Sequence, residues 1–219
     1  MDLDAIKHAA AALYSSSLPY HNFSHALAVV KEAEHIVRKC SAESVPVDAD
    51  VVILAALFHD AGFHDDHVRL GFETKEAYSA ELARRELNKH GAAPQIVEQV
   101  CDAILSTHYD GICRSNESKD VRAADLAGLA ADYNVFKSNT VRLKQEHELL
   151  SETRTGWLEW RDNAIAKVNL FLRQDLNLTR DYFDAEGQSV FHRRTRDNLR
   201  RLQADPSDAV MEDKEIACL

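Results

Sequence analysis

The sequence predicts an all-α protein, and three observations carry that expectation. Only 7 glycines and 4 prolines occur in 219 residues, too few for a turn-rich β architecture. Apolar residues recur at helical spacing, as in Phe23, Ala26, Leu27, Val30, Ala33, Ile36 and Val37. No stretch alternates apolar and polar residues as a half-buried strand does.

Taken in order, Asp4 to Tyr14 reads as a first helix, with Ile6, Ala9, Ala10 and Leu13 on one face, and Ser15 to Pro19 ends it. Asn22 is placed to cap a second helix from Phe23 to Cys40. After a loop from Ser41 to Pro46, Asp48 to Asp60 contains VVILAALFHD, a helix apolar on every face that belongs in the middle of a domain. Ala61 to Gly71 is a loop rich in His and Asp. Thr74 to His90 is helical and capped by Gly91, and Ala93-Pro94 opens a helix to His108. Tyr109 to Asn116 is a loop. Helices are then expected over Glu117–Ala131, Asn134–Leu149, Thr155–Leu172 and Ala185–Leu202. Residues 1–203 read as a single helical domain, and 204–219 as a mobile acidic tail. Trp157 and Trp160, three apart, read as core.

Composition narrows the function. The net charge of −10 repels nucleic-acid backbones, so DNA and RNA are not expected partners. It leaves room for a small phosphorylated substrate if a divalent metal dominates the local field. Cys40, Cys101, Cys113 and Cys218 stand alone without a CxxC pair, which fits a reducing compartment. MDLDAIKHAA lacks a signal-peptide pattern, and no run approaches the ~18–20 apolar residues of a membrane span. The expectation is a cytoplasmic protein without a membrane partner.

The chemistry gathers at helix ends. His21 and His25 flank the start of the second helix, His59-Asp60 ends the apolar one, His108 ends ILSTH, and Asp125 sits among Ala123, Ala124, Leu126 and Ala127. A buried carboxylate without a partner costs several kcal/mol. His25, His59, Asp60 and Asp125 together supply two imidazoles and two carboxylates. That mixed set suits Mg, Mn, Fe, Co, Ni or Zn without selecting among them. Such an ion can acidify a water and polarise a phosphoryl centre. For His64 and His67 the simpler reading is a polar loop, and Arg142, Lys144, Arg154, Arg193 and Arg194 read as solvated helix faces.

The order H…HD…D on helices resembles the HD-domain superfamily of metal-dependent phosphohydrolases. PYHNFSHALAVV followed by LAALFHD is similar to the YHNxxHA and AALxHD motifs of its cyclic-nucleotide phosphodiesterases. EAYSAELARREL and FHRRTRDNLRRL resemble the ENExSA-type helix and the closing AR-NL helix of bacterial predicted HD phosphohydrolases. Together these segments cover most of residues 18–203. The resemblance implies an HD-type helical domain with His25, His59, Asp60 and Asp125 as metal ligands, Asp60 bridging if two metals bind. It implies His21 as general acid and Glu76 near the attacking water. His108 would be a second-metal ligand or phosphate contact, with the same question posed for His64. Two departures stand out: the histidine after the HD pair falls in HDxxxH rather than HDxxH, and Lys75 replaces the Asn of ENE. No counterpart of the purine-clamping region exists, so cyclic nucleotides are not favoured.

The expected function is metal-dependent hydrolysis of a phosphomonoester, phosphodiester or pyrophosphate bond, with a nucleotide as the substrate class the family implies. Asp60 or Glu76 would orient the water. The alternative is a regulatory HD module that binds a nucleotide around a structural metal without turning it over.

Overall fold

The computed structural model describes residues 2–209. Among them are nine α-helices and no strand beyond one isolated bridge, so the protein is all-α. Helix α1 (Leu3–Ala11) starts on Asp2, whose side chain accepts from the N–H groups of Asp4 and Ala5. Helix α2 (Phe23–Ala42) starts on Asn22, which accepts from Ser24 and His25 N–H. Helix α3 (Ala49–Phe58) is capped by Asp48 in the same way. These caps satisfy first-turn donors that no helical carbonyl can reach.

Helix α4 (Lys75–Lys89) is capped by Thr74 and closes on Gly91, whose φ of 70° is in the left-handed region that glycine tolerates. Helix α5 (Pro94–Leu105) opens on proline, whose missing N–H costs nothing at that position. Helix α6 (Asn116–Leu126) carries a reciprocal Ser115–Ser118 capping box and tightens into a 3-10 turn at Ala127–Ala130. Helices α7 (Tyr133–Ser151), α8 (Trp157–Phe171) and α9 (Val190–Ala204) follow.

The core is built around α3. Val51, Val52, Leu54, Ala55, Ala56, Leu57 and Phe58 are all buried, and α2, α4, α5 and α6 pack against the helix. Truncating Leu54 to alanine here would cost about 2–5 kcal/mol. A second, smaller cluster joins Phe136 of α7, Val168 of α8, and Leu199 and Leu202 of α9. Trp157 packs against that cluster, half-buried, with its indole N–H on the Asp205 carbonyl; Trp160 donates to the Thr140 carbonyl. Asn198 ties α9 to the turn after α6 by donating to the carbonyls of Leu129 and Ala131 at 2.9 and 2.8 Å. No described helix is long and apolar enough to cross a membrane.

Several boundaries differ from expectation, among them the end of the first helix, at Ala11 rather than Tyr14. The last helix begins at Val190, not Ala185. The Asp184 carboxylate accepts from the N–H groups of Glu186 and Gln188, Gly187 takes a φ of 74°, and Ser189 caps the helix. Local side-chain bonds thus outcompete one more helical turn. Helix α5 ends at Leu105, which leaves His108 in the following turn. The start of the expected tail is anchored: Asp205 accepts from Tyr133 Oη at 2.9 Å and pairs with Lys137 at 2.7 Å. The expected mobility of residues 210–219 concerns a segment outside the described residues.

Candidate metal centre

The site is fixed by the end of α3. His59 closes that helix and is 2 % exposed. Its Nδ1 lies 2.8 Å from the Ala56 carbonyl; a carbonyl only accepts, so Nδ1 carries the proton and Nε2 is left facing the cluster. The chain then turns sharply at Gly62, with a φ of 72°. A side chain there would meet Tyr78 at 2.5 Å and Leu82 at 2.7 Å. Ser79 of α4 locks the turn by donating to the Ala61 carbonyl at 2.8 Å.

Two other helices bring the remaining groups. His25 projects from the first turn of α2, oriented by the Asn22 cap. Asp125 comes from the last turn of α6. Asp60 Oδ2 lies 2.9 Å from His59 Nε2 and 3.4 Å from His25 Nε2. Asp125 Oδ1 lies 3.4 Å from His59 Nε2 and 3.5 Å from His25 Nε2. Despite these separations, both Nε2 atoms are buried without a hydrogen-bond partner. The donor atoms crowd together but do not bond to one another.

That pattern fits a divalent ion. Ligand atoms ~2.1 Å from a metal at tetrahedral or octahedral angles stand ~3.0–3.4 Å apart, close to the spacings observed. His25, His59 and Asp60 offer ligand atoms all within 4.8 Å of one another. The field agrees. Burial pushes the His59 imidazole down, yet the Asp60 charge and both carboxylates carry it well above its ordinary value. Burial likewise opposes, and the nearness of the Asp125 and Asp60 carboxylates overcomes it, for His25. Burial raises Asp60 and Asp125, yet the imidazoles hold both below the usual carboxylate range. The surroundings call for positive charge where these four side chains meet.

His21 lies beside this cluster, with Nε2 4.0 Å from Asp60 Oδ2. Its Nδ1 pairs with Oε1 of Glu146, on α7. Glu146 Oε2 accepts from the main-chain N–H groups of Tyr20 and His21. The His21 ring stacks on Phe63 at 3.7 Å between centroids. Tyr20 packs against both His21 and His25. Burial pushes its phenol up, and the nearby Asp125 and Asp60 push it further.

Glu76 is half-buried in the first turn of α4, and its charge is felt by Lys75 and Arg122. His64 pairs with Asp65 at 3.4 Å, and His108 pairs with Asp110; neither reaches a carboxylate of the cluster within ion-pair distance. Arg122, 1 % exposed, pins the turn that holds His108. Its guanidinium donates to the carbonyls of Ser106, His108 and Gly111 and, at 3.2 Å, of Tyr109. A cavity of about 370 Å³ lies elsewhere, lined by residues such as Ala127, Leu176 and Phe191, and holds none of these groups.

Sequence reasoning missed Glu146, Phe63 and Arg122. Arg122 is one of several charged residues in NESKDVRAADL, so nothing in that run marks it as buried. Glu146 sits in LKQEHELL, a run that reads as a solvated face.

The family model of the HD domain matches residues 22–127. That segment opens on the α2 cap and closes just after Asp125, so it contains all four converging side chains. By this match residues 22–127 form an HD domain, a class whose members are typically metal-dependent phosphohydrolases. No curated protein matches the chain.

Proposed function

We propose that the protein is a metal-dependent phosphohydrolase and that His25, His59, Asp60 and Asp125 hold its divalent ion. The observation that carries this reading is the pair of buried, unbonded Nε2 atoms of His25 and His59, set 2.9–3.5 Å from the two carboxylates. Left empty of positive charge, that arrangement is costly. Bound there, a divalent ion supplies Lewis acidity toward a phosphoryl oxygen and makes a water easier to ionise.

The chain's own residues divide the rest. Glu76 makes no hydrogen bond or ion pair with the described residues, and it is the carboxylate free to orient the attacking water. Asp60 is the second group able to do so. Glu146 occupies His21 Nδ1, so Nε2 is the atom left to deliver a proton to the leaving oxygen. Phe63 covers one face of that imidazole and fixes its tilt. The bond cleaved is that of a phosphoester or pyrophosphate, and the resemblance to bacterial HD phosphohydrolases favours a nucleotide.

The test is metal analysis of the purified protein together with phosphate release across a nucleotide and phosphoester panel. Stoichiometric metal with turnover of at least one member is expected. Stoichiometric metal with no turnover would shift the reading to a nucleotide-binding module, and no metal after reconstitution would overturn the centre itself.

A further inference from the structure

Lys75 is the first residue of α4, where a cation opposes the helix dipole. Its ammonium sits 3.3 Å from the centroid of the Phe63 ring. The His21 imidazole already stacks on one face of that ring at 3.7 Å, so Lys75 occupies the other face. Phe63 is thus held between the His21 ring and a cation. The side chain is half-buried, and it forms no ion pair with any described residue. Burial pushes its pKa down, while the charges of Asp60, Glu146 and Glu76 pull it back up. Lys167 of α8 adds a weaker like charge.

Four of the other candidate cations are occupied, whereas Arg142, whose charge reaches Tyr20, and Lys167 form no ion pair with a described residue. Lys144 and Arg154 pair with Glu148, Arg193 with Asp184, and Arg194 with Asp132. Within the site, two cluster carboxylates balance a dication and Glu146 faces His21. Of the unpaired cations, Lys75 is the one seated on the ring that stacks against His21. A phosphomonoester or terminal phosphate carries two negative charges, whereas a diester carries one and adds a second apolar arm.

We propose that Lys75 is a specificity residue that holds the phosphoryl oxygens of a doubly charged terminal phosphate and so selects it over a phosphodiester. The proposal rests on the phosphohydrolase reading of the cluster. A charged contact of this kind is worth about ten- to a hundredfold in discrimination.

The experiment compares wild type, Lys75→Met and Lys75→Arg, each loaded with Mn and checked for equal metal content. It measures kcat/KM on para-nitrophenyl phosphate and on bis(para-nitrophenyl) phosphate, and the binding of inorganic phosphate by calorimetry. In Lys75→Met the monoester-to-diester ratio should fall about ten- to a hundredfold and phosphate should bind about tenfold more weakly, with Lys75→Arg recovering much of both. A ratio or a phosphate affinity that the Met variant leaves unchanged overturns the proposal, as does a loaded wild type that does not bind phosphate. If wild type turns over neither ester, the phosphohydrolase reading is decided by the nucleotide panel, and the phosphate affinities alone then support or overturn the role of Lys75.

Discussion

Glu146, in the middle of α7, accepts from the main-chain N–H groups of Tyr20 and His21 at 3.0 and 2.8 Å, and its other oxygen pairs with His21 Nδ1. One carboxylate therefore fixes both the backbone and the ring of the residue beside the metal centre. Burial opposes its ionisation, and the bond to His21 more than compensates, so it stays below the usual glutamate range.

Replacing it isolates the ring's contribution. Glu146→Gln keeps an acceptor for the two N–H groups and removes the charge that faces the imidazole. Metal content should be unchanged. Turnover of a substrate with a poor leaving group should fall about 10²-fold or more, the scale of general acid catalysis. A good leaving group such as para-nitrophenolate should be affected least. Equal loss on both substrates would assign Glu146 a purely structural part.

Removing the ion should expose the repulsion it offsets. Chelation should lower Tm, and adding the divalent ion back at ~100 times Kd should restore about 2.7 kcal/mol of stability. Asp60→Asn should abolish that response. Scanning calorimetry on the two proteins, with and without chelator, checks it.

The turn after Asp60 should tolerate no side chain. Gly62→Ala must hold a left-handed φ and push a methyl against Tyr78 and Leu82. The expected cost is about 2–4 kcal/mol. Urea unfolding reads it, and loss of metal affinity should accompany it because the same turn positions Asp60.

A pH effect is expected from a carboxylate outside the site. Asp120 of α6 is buried with neither oxygen hydrogen-bonded. Burial, with Glu117 and Glu32 nearby, pushes its pKa up to about 8. The folded state thus keeps a proton that the unfolded chain releases near the ordinary carboxylate value. Stability from this group is complete below about pH 4 and is lost as pH rises to about 8. Asp120→Asn removes that dependence. Relative to wild type it should gain about 1–3 kcal/mol between about pH 5 and pH 9, or about 2–4 °C in Tm per kcal/mol. A constant difference across that range would show that Asp120 is ionised in the fold.

The sequence made the four converging side chains legible because each lies next to a local structural signal. Asn22 caps α2 just ahead of His25, the apolar run ends in His59-Asp60, and Asp125 sits among small apolar residues. Glu146 was hidden for a physical reason. It contacts a backbone 125 positions away, and nothing in its own helix marks that face as buried. Lys75 was visible only as a departure from a motif, since its meaning depends on Phe63 folding back over His21. The start of α9 was misplaced because the Asp184 turn is decided by side-chain bonds to the backbone, which periodicity does not register. Most of the helical framework followed from spacing and caps; the contacts between distant helices did not.

Helix α3 is enclosed on every side, whereas α7 to α9 share only a small apolar cluster. The two parts should therefore open at different free energies. Amide protons of Val52 to Phe58 should exchange with solvent only through global unfolding, and those around Glu146 through a lesser opening. On warming, the hold of Glu146 on His21 should loosen before the helices around His59 and Asp60 open.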